Sequence, residues 1–170
     1  MKIWFDTEFI DDGKYIELIS IGMIDENGRT YYAENEECDL NRVCEWVQKN
    51  VVPHLTGPKK SRKEISEDIF RFAGANPEFW GYYADYDWVI MCQLFGRMMD
   101  LPPHWPMFCR DVNQFRHDVG GVPLPEQVSQ EHNALADAIW TYECWYYLDK
   151  FKRDMKLYNN FPTPPIKNFP

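Results

Sequence analysis

Hydrophobic patterning divides the chain into two regimes. Residues 2–7 open with the apolar run Ile3, Trp4 and Phe5 and end in acids, which reads as a short strand buried on both sides. Residues 15–24, rich in isoleucine, read as a second strand. Asn27-Gly28 follows, and this dipeptide is the strongest short signal for a hairpin. It predicts a third strand over 29–34, antiparallel to the second. Beyond residue 39 the period lengthens. Leu40, Val43, Val47 and Val51 recur at helical spacing, and residues 56–60 read as a loop. Ser61 and Glu64 have capping-box spacing, and Ile65, Ile69 and Phe72 carry that helix to a stop at Gly74. An aromatic strand follows over 78–84, then an apolar helix from Tyr86 to near Asp100. Residues 101–106 form a proline-stiffened connector, and 107–112 a fifth strand with a short helix after it. The last long helix runs from about Asn133 to about Met155. The rest is too rich in proline for helix or central strand.

A three-strand meander followed by helices alternating with two strands predicts one α/β domain over residues 1–156. Its sheet is mixed and five-stranded, an antiparallel meander plus two parallel strands, flanked by helices. Residues 157–170 are expected to lie along its body as a tail.

Composition narrows the class. The 170 residues are 45% hydrophobic, ample for a core. Acids interrupt the N-terminal apolar run at once, unlike a secretory signal, and no stretch is apolar enough for a membrane span. Five cysteines, an odd number without a C-x-x-C pair, argue against a disulfide framework or a thiolate zinc site and for a reducing cytoplasm. The formal net charge is −9, and the only basic cluster is Lys59 to Lys63. That balance argues against a broad electrostatic platform for nucleic acid. It leaves room for a site that holds phosphate through bound cations, which invert the local electrostatics.

The acids supply candidate chemistry. Asp6 and Glu8 lie two apart on the first strand, so both face one side. Such a pair repels unless a cation sits between the carboxylates, and magnesium favours oxygen ligands; two solvated acids at a strand end are an equal reading of the spacing. Asp85 and Asp87 open the apolar helix. They diverge by about 200° on it, so at most one enters a shared site, and both also suit a helix N-terminus electrostatically. His132 and Asp137 are five apart, a spacing of about 140° that a helix does not align on one face. With Asn133 as the cap, Asp137 sits on the second turn among the small residues Ala134, Ala136 and Ala138, while His132 stays on the preceding loop. A rigid ligand and a mobile base would be arranged so; a surface histidine at a helix start would be too.

Taken in order, "FDTEF", the Tyr86-Asp87 pair opening an apolar helix, and "HNALADA" resemble the three motifs of the DEDDh 3′–5′ exonucleases, over roughly residues 3–140. The resemblance implies a ribonuclease H-like fold. It implies two Mg2+ or Mn2+ ions held by Asp6, Glu8, Asp87 and Asp137, His132 as general base, and Thr7, Glu8 and Phe9 beside the substrate. Phe9 would stack on the terminal base or serve as plain core. Asn133 stands where a sister subclass carries tyrosine, which favours the histidine subclass. Two positions depart from the pattern: Tyr83 replaces a usual asparagine, and Ser20 a frequent glutamate ahead of Ile21-Gly22. More narrowly, "DTEFIDDG" with "IELISIG" looks like a small bacterial and phage group of 3′ exoribonucleases acting on polyadenylate-like RNA. The expected partner is single-stranded nucleic acid, RNA before DNA, with no membrane partner and a homodimer compatible with the aromatic content. The expected reaction releases nucleoside 5′-monophosphates. The rival readings are a 3′–5′ exodeoxyribonuclease and a non-catalytic binder of 3′ ends.

Overall fold

A computed structural model describes residues 1–159. Its strands are β1 (Lys2–Asp11), β2 (Ile16–Asp25), β3 (Thr30–Asn35), β4 (Lys59–Lys60), β5 (Glu78–Gly81) and β6 (Arg110–Asp111), in one sheet of order β4-β3-β2-β1-β5-β6. The helices are α1 (Glu45–Asn50), α2 (Arg62–Ala73), α3 (Asp85–Phe95), α4 (Val112–Asp118) and α5 (Ala134–Asn159). β1, β2 and β3 form the antiparallel meander, and β5 and β6 add in parallel beside β1. The expected packing of the proline-rich tail lies outside the described residues. Among those residues no helix is long and apolar enough to cross a membrane.

The sheet has six strands, not five. Lys59 and Lys60, in a stretch that reads as loop, pair in parallel with Glu34 and Asn35. Two residues at an edge carry no periodicity, so nothing in the pattern announces them. β1 also runs on to Asp11, because β2 pairs with it from Ile3↔Asp25 to Asp11↔Ile16. Asp6 and Glu8 therefore stand within the strand rather than at its end. They do stand beyond its parallel neighbour, since β5 last pairs with β1 at Trp4.

Two expected helices are shorter than their apolar pattern. The helical period over residues 40–51 is split into a 3-10 turn at Leu40–Arg42 and α1, and a second 3-10 turn follows at Val52–His54. Val43 is extended at the break, yet Val47 and Val51 still bury against Ile10 and Ile19. The helix expected to reach Asp100 stops at Phe95, where Gly96 turns to φ 116° and Arg97 closes a local pair with Asp100. By contrast α2 begins on the Ser61–Glu64 capping box and stops at Gly74, as its spacing predicts.

Strand alternation divides the core between two faces. Ile3, Phe5, Ile21 and Met23 pack with Ile65 and Ile69 of α2 and Ile90 and Met91 of α3. Trp4, Ile24 and Trp80 pack on the other face with Cys144 and Leu148 of α5 and with Phe115 of α4. On that second face α5 meets β2 backbone to backbone. A Cβ on Gly22 would sit 2.2 Å from the Leu135 nitrogen and 2.3 Å from the Ala134 carbonyl oxygen. Gly22→Ala is therefore expected to cost about 1–3 kcal/mol by overpacking. Thermal unfolding would register it as a fall in Tm, and an unchanged Tm would mean that α5 does not lie this close.

Candidate active site

Three elements deliver the site. Alternation along β1 sends Asp6 and Glu8 toward α5 and Thr7 toward α3. Thr7 ties its face to α3: its amide donates to Asp87 Oδ1 at 2.8 Å and its hydroxyl to the same oxygen at 2.5 Å. Asp87, on the first turn of α3, is buried, while Asp85, the first residue of that helix, is exposed. The cap position is held by Ala84, whose amide donates to Asp111 Oδ2 of β6 at 3.0 Å.

Asp137 stands one turn into α5. Asn133 caps this helix, its Oδ1 accepting from the Ala136 amide at 3.1 Å, and its side-chain amide reaches the His54 carbonyl at 3.5 Å. His132 lies before the helix in the left-handed region, at φ 65°. Its backbone N–H donates to Asp137 Oδ2 at 3.0 Å, so loop and helix are locked by the acid itself. The His132 ring meets Trp46 of α1 edge-on, centroids 4.7 Å apart. Among the described residues Glu8, His132 and Asp137 form a group whose donor atoms all lie within 4.8 Å of one another. Asp6, Tyr82, Gln127, His132, Asp137 and Trp140 line a cavity of about 200 Å³ beside it.

Four carboxylates this close oppose one another's ionisation. Burial, then the charges of Asp87, Asp137 and Glu8, hold Asp6 well above the ordinary carboxylate range. Burial and the same neighbours push Glu8 up to about 8. Burial raises Asp87 to about 6 against the two hydrogen bonds from Thr7. Burial also raises Asp137, offset by Gln127 and the His132 amide. Oxygen donors strained by mutual repulsion fit a hard divalent cation.

The remaining expected positions have other surroundings. Phe9 packs against the α2–α3 side of the core and meets Tyr86 edge-on at 5.8 Å. Tyr83, in place of the usual asparagine, is exposed in the left-handed region at φ 55°. Ser20 is buried opposite Glu8. Sequence reading missed Gln127, whose side-chain amide donates to Asp137 Oδ1 from an irregular segment without periodic signal. It also missed Trp46. An aromatic on the polar side of the Val43–Val47–Val51 stripe was the available sign.

Comparison with known proteins places the chain among exonucleases. The family of the 3′-5′ exoribonuclease Rv2179c-like domain matches residues 1–148. The chain is similar to the 3′-5′ exoribonuclease Rv2179c of Mycobacterium tuberculosis, 42% identical over 146 residues, covering 81% of this chain and 87% of that protein. Two solved structures share its ribonuclease H-like fold. E. coli exonuclease I in complex with a dT13 oligonucleotide has a TM-score of 0.60 at 13% identity, over 93% of this chain and 42% of its own. The Saccharomyces cerevisiae Pan2 pseudoubiquitin hydrolase–RNA exonuclease module in complex with AAGGA RNA has a TM-score of 0.61 at 12% identity, over 93% of this chain and 31% of its own. The chain thus spans less than half of either solved relative.

The raised carboxylates link stability to pH. A carboxyl whose pKa rises on folding adds stability below its unfolded value, and that stability is lost as pH climbs through the folded value. With Asp87 at about 6 and Glu8 at about 8, the metal-free chain should lose Tm between pH 5 and pH 9. Asp6→Asn should raise the metal-free Tm at pH 8, and millimolar Mg2+ or Mn2+ should reverse the wild-type loss. Thermal melts in chelator and in metal across that range check this; a Tm flat in pH and indifferent to metal would contradict the crowding.

Proposed function

The chain belongs to the 3′-5′ exoribonuclease family with the Rv2179c-like domain, and from that premise we propose that it hydrolyses single-stranded RNA from the 3′ end, releasing nucleoside 5′-monophosphates. The observation that carries this reading is the convergence of Glu8, His132 and Asp137 within 4.8 Å, with Asp6 on the wall of the adjoining cavity. RNA is favoured over DNA because the relative of 42% identity is an exoribonuclease.

Asp6, Glu8, Asp87 and Asp137 would hold two divalent ions, magnesium or manganese. Bound there, the ions neutralise phosphoryl oxygens and acidify a water. The protein's own groups do the rest. His132 accepts the proton of the attacking water on a ring nitrogen, since an imidazole suits that transfer near neutrality. The hydrogen bond that its backbone N–H donates to Asp137 fixes where the ring starts from, and Trp46 packs against the ring edge-on. As the new P–O bond forms, the bond to the leaving 3′ oxygen breaks, and that oxygen takes up a proton to become the new 3′ hydroxyl. Thr7 holds Asp87 against charge repulsion by two hydrogen bonds. Gln127 orients Asp137 from the opposite side.

Two substitutions separate these roles. Asp6→Ala should abolish metal-dependent trimming with the fold retained. His132→Ala should lower turnover by about 10²–10⁴-fold while calorimetry still detects metal binding. Digestion of end-labelled RNA and DNA with Mg2+ or Mn2+ reads both, as a ladder shrinking from the 3′ end. Full activity in Asp6→Ala would remove the metal assignment. Loss of metal binding in His132→Ala would make the histidine a ligand. A ladder on DNA alone would turn the reading to an exodeoxyribonuclease.

A further inference from the structure

His132 occupies the left-handed region although it is not glycine, at φ 65°. Such a backbone persists where its surroundings over-determine it. The neighbouring acid does not hold the ring: Glu131 Oε2 stands 4.0 Å from His132 Nε2, beyond hydrogen-bond reach. Besides the bond to Asp137, the ties on this loop come from residues 45–54, far earlier in the chain.

Three contacts join that segment to the loop. Trp46 of α1 meets the His132 ring edge-on, centroids 4.7 Å apart. Two positions before His132, the Gln130 side-chain amide donates to His54 Nδ1 at 2.7 Å. One position after it, the Asn133 side-chain amide reaches the His54 carbonyl at 3.5 Å. His132 is thus tied to His54 on both sides and touched on its ring by Trp46. The segment is itself fixed to the sheet. Val47 and Val51 bury against Ile10 of β1 and Ile19 of β2, with Leu40 and Leu55 packed around them. Ile10 follows Glu8 by two on the same strand, so this platform and the β1 acids share one reference. Trp46 is 53% exposed, too open to serve as core.

We propose that Trp46 and His54 are positioning residues for the general base. They hold the loop so that the His132 ring enters the site at the reach the attacking water requires. The inference rests on the RNA-trimming reading given above, with His132 as the base. Both residues act through His132 and not on the RNA. A reacting group misplaced by about 1 Å can cost about 10²-fold in rate, so a platform of this kind is worth a measurable share of turnover.

Single-turnover trimming of a short end-labelled RNA with Mg2+ tests this. Trp46→Ala and His54→Ala should each slow the cut by roughly 10- to 100-fold. The enzyme concentration that half-saturates the rate should stay unchanged. Trp46→Phe keeps an aromatic partner for the ring, and His54→Asn keeps an acceptor for Gln130; each should restore most of the rate. In a His132→Ala background neither alanine should slow the residual cutting further, because the group they position is gone. Calorimetry should find metal binding unchanged, and thermal melting tracks the fold. Trp46→Ala, at an exposed position, carries the test where His54→Ala unfolds. An equal loss in the His132→Ala background would make both residues merely structural and overturn the proposal. Weaker RNA binding with an unchanged cutting rate in Trp46→Ala would make Trp46 a strand contact and overturn it too, as would wild-type rates in both alanine variants. A wild type that trims no RNA, or a His132→Ala enzyme as fast as wild type, overturns the reading on which the proposal stands, and the proposal with it.

Discussion

The backbone contact between α5 and β2 at Gly22 is the constraint on which the site depends. The first turn of α5 carries Asn133 as its cap and Asp137 one turn on, and it can lie over Asp6 and Glu8 only because no side chain intervenes. The helix answers with small or compact residues on its inner face: Ala134, Ala138, Thr141 and Cys144 are all buried. Apolar burial along the rest of that face, Leu148 with Trp4 and Trp80 among it, opposes the repulsion of the carboxylates that the same contact brings together.

β1 serves two helices at once. Its even-numbered acids answer to α5, while Thr7 between them answers to α3 through Asp87. One strand therefore gathers acids delivered from opposite sides of the sheet. The arrangement is economical in sequence, since three consecutive residues carry it. Asp87 is held by β1 and by burial, while Tyr83 ahead of it is exposed.

What could be read from the sequence was what repeats or what local chemistry dictates. The Asn27-Gly28 hairpin, the Ser61–Glu64 cap and the Asn133 cap each follow from a few neighbouring residues, and the structure contains all three. The motif acids were legible as spacing, although the full length of β1 was not, because its far half pairs through residues with no alternating pattern. Features set by distant contact stayed hidden. β4 exists only because Pro58 and Lys59 meet β3, and α1 is broken by local turns that leave its apolar period intact. Gln127 belongs to the same class, since only three-dimensional pairing brings it to Asp137.

The alternation of β1 has one more consequence, for the folding of the chain. A slip of one residue in strand register sends every side chain to the opposite face. Here it would point Thr7 at α5 and the two acids at α3, separating the carboxylates from Asp137 and stripping Asp87 of its donors. A misregistered chain would thus be disarmed rather than merely weakened. In this member of an exoribonuclease family, the register that pairs Asp6 with Gly22 and Glu8 with Ser20 is therefore also what keeps the acids facing α5.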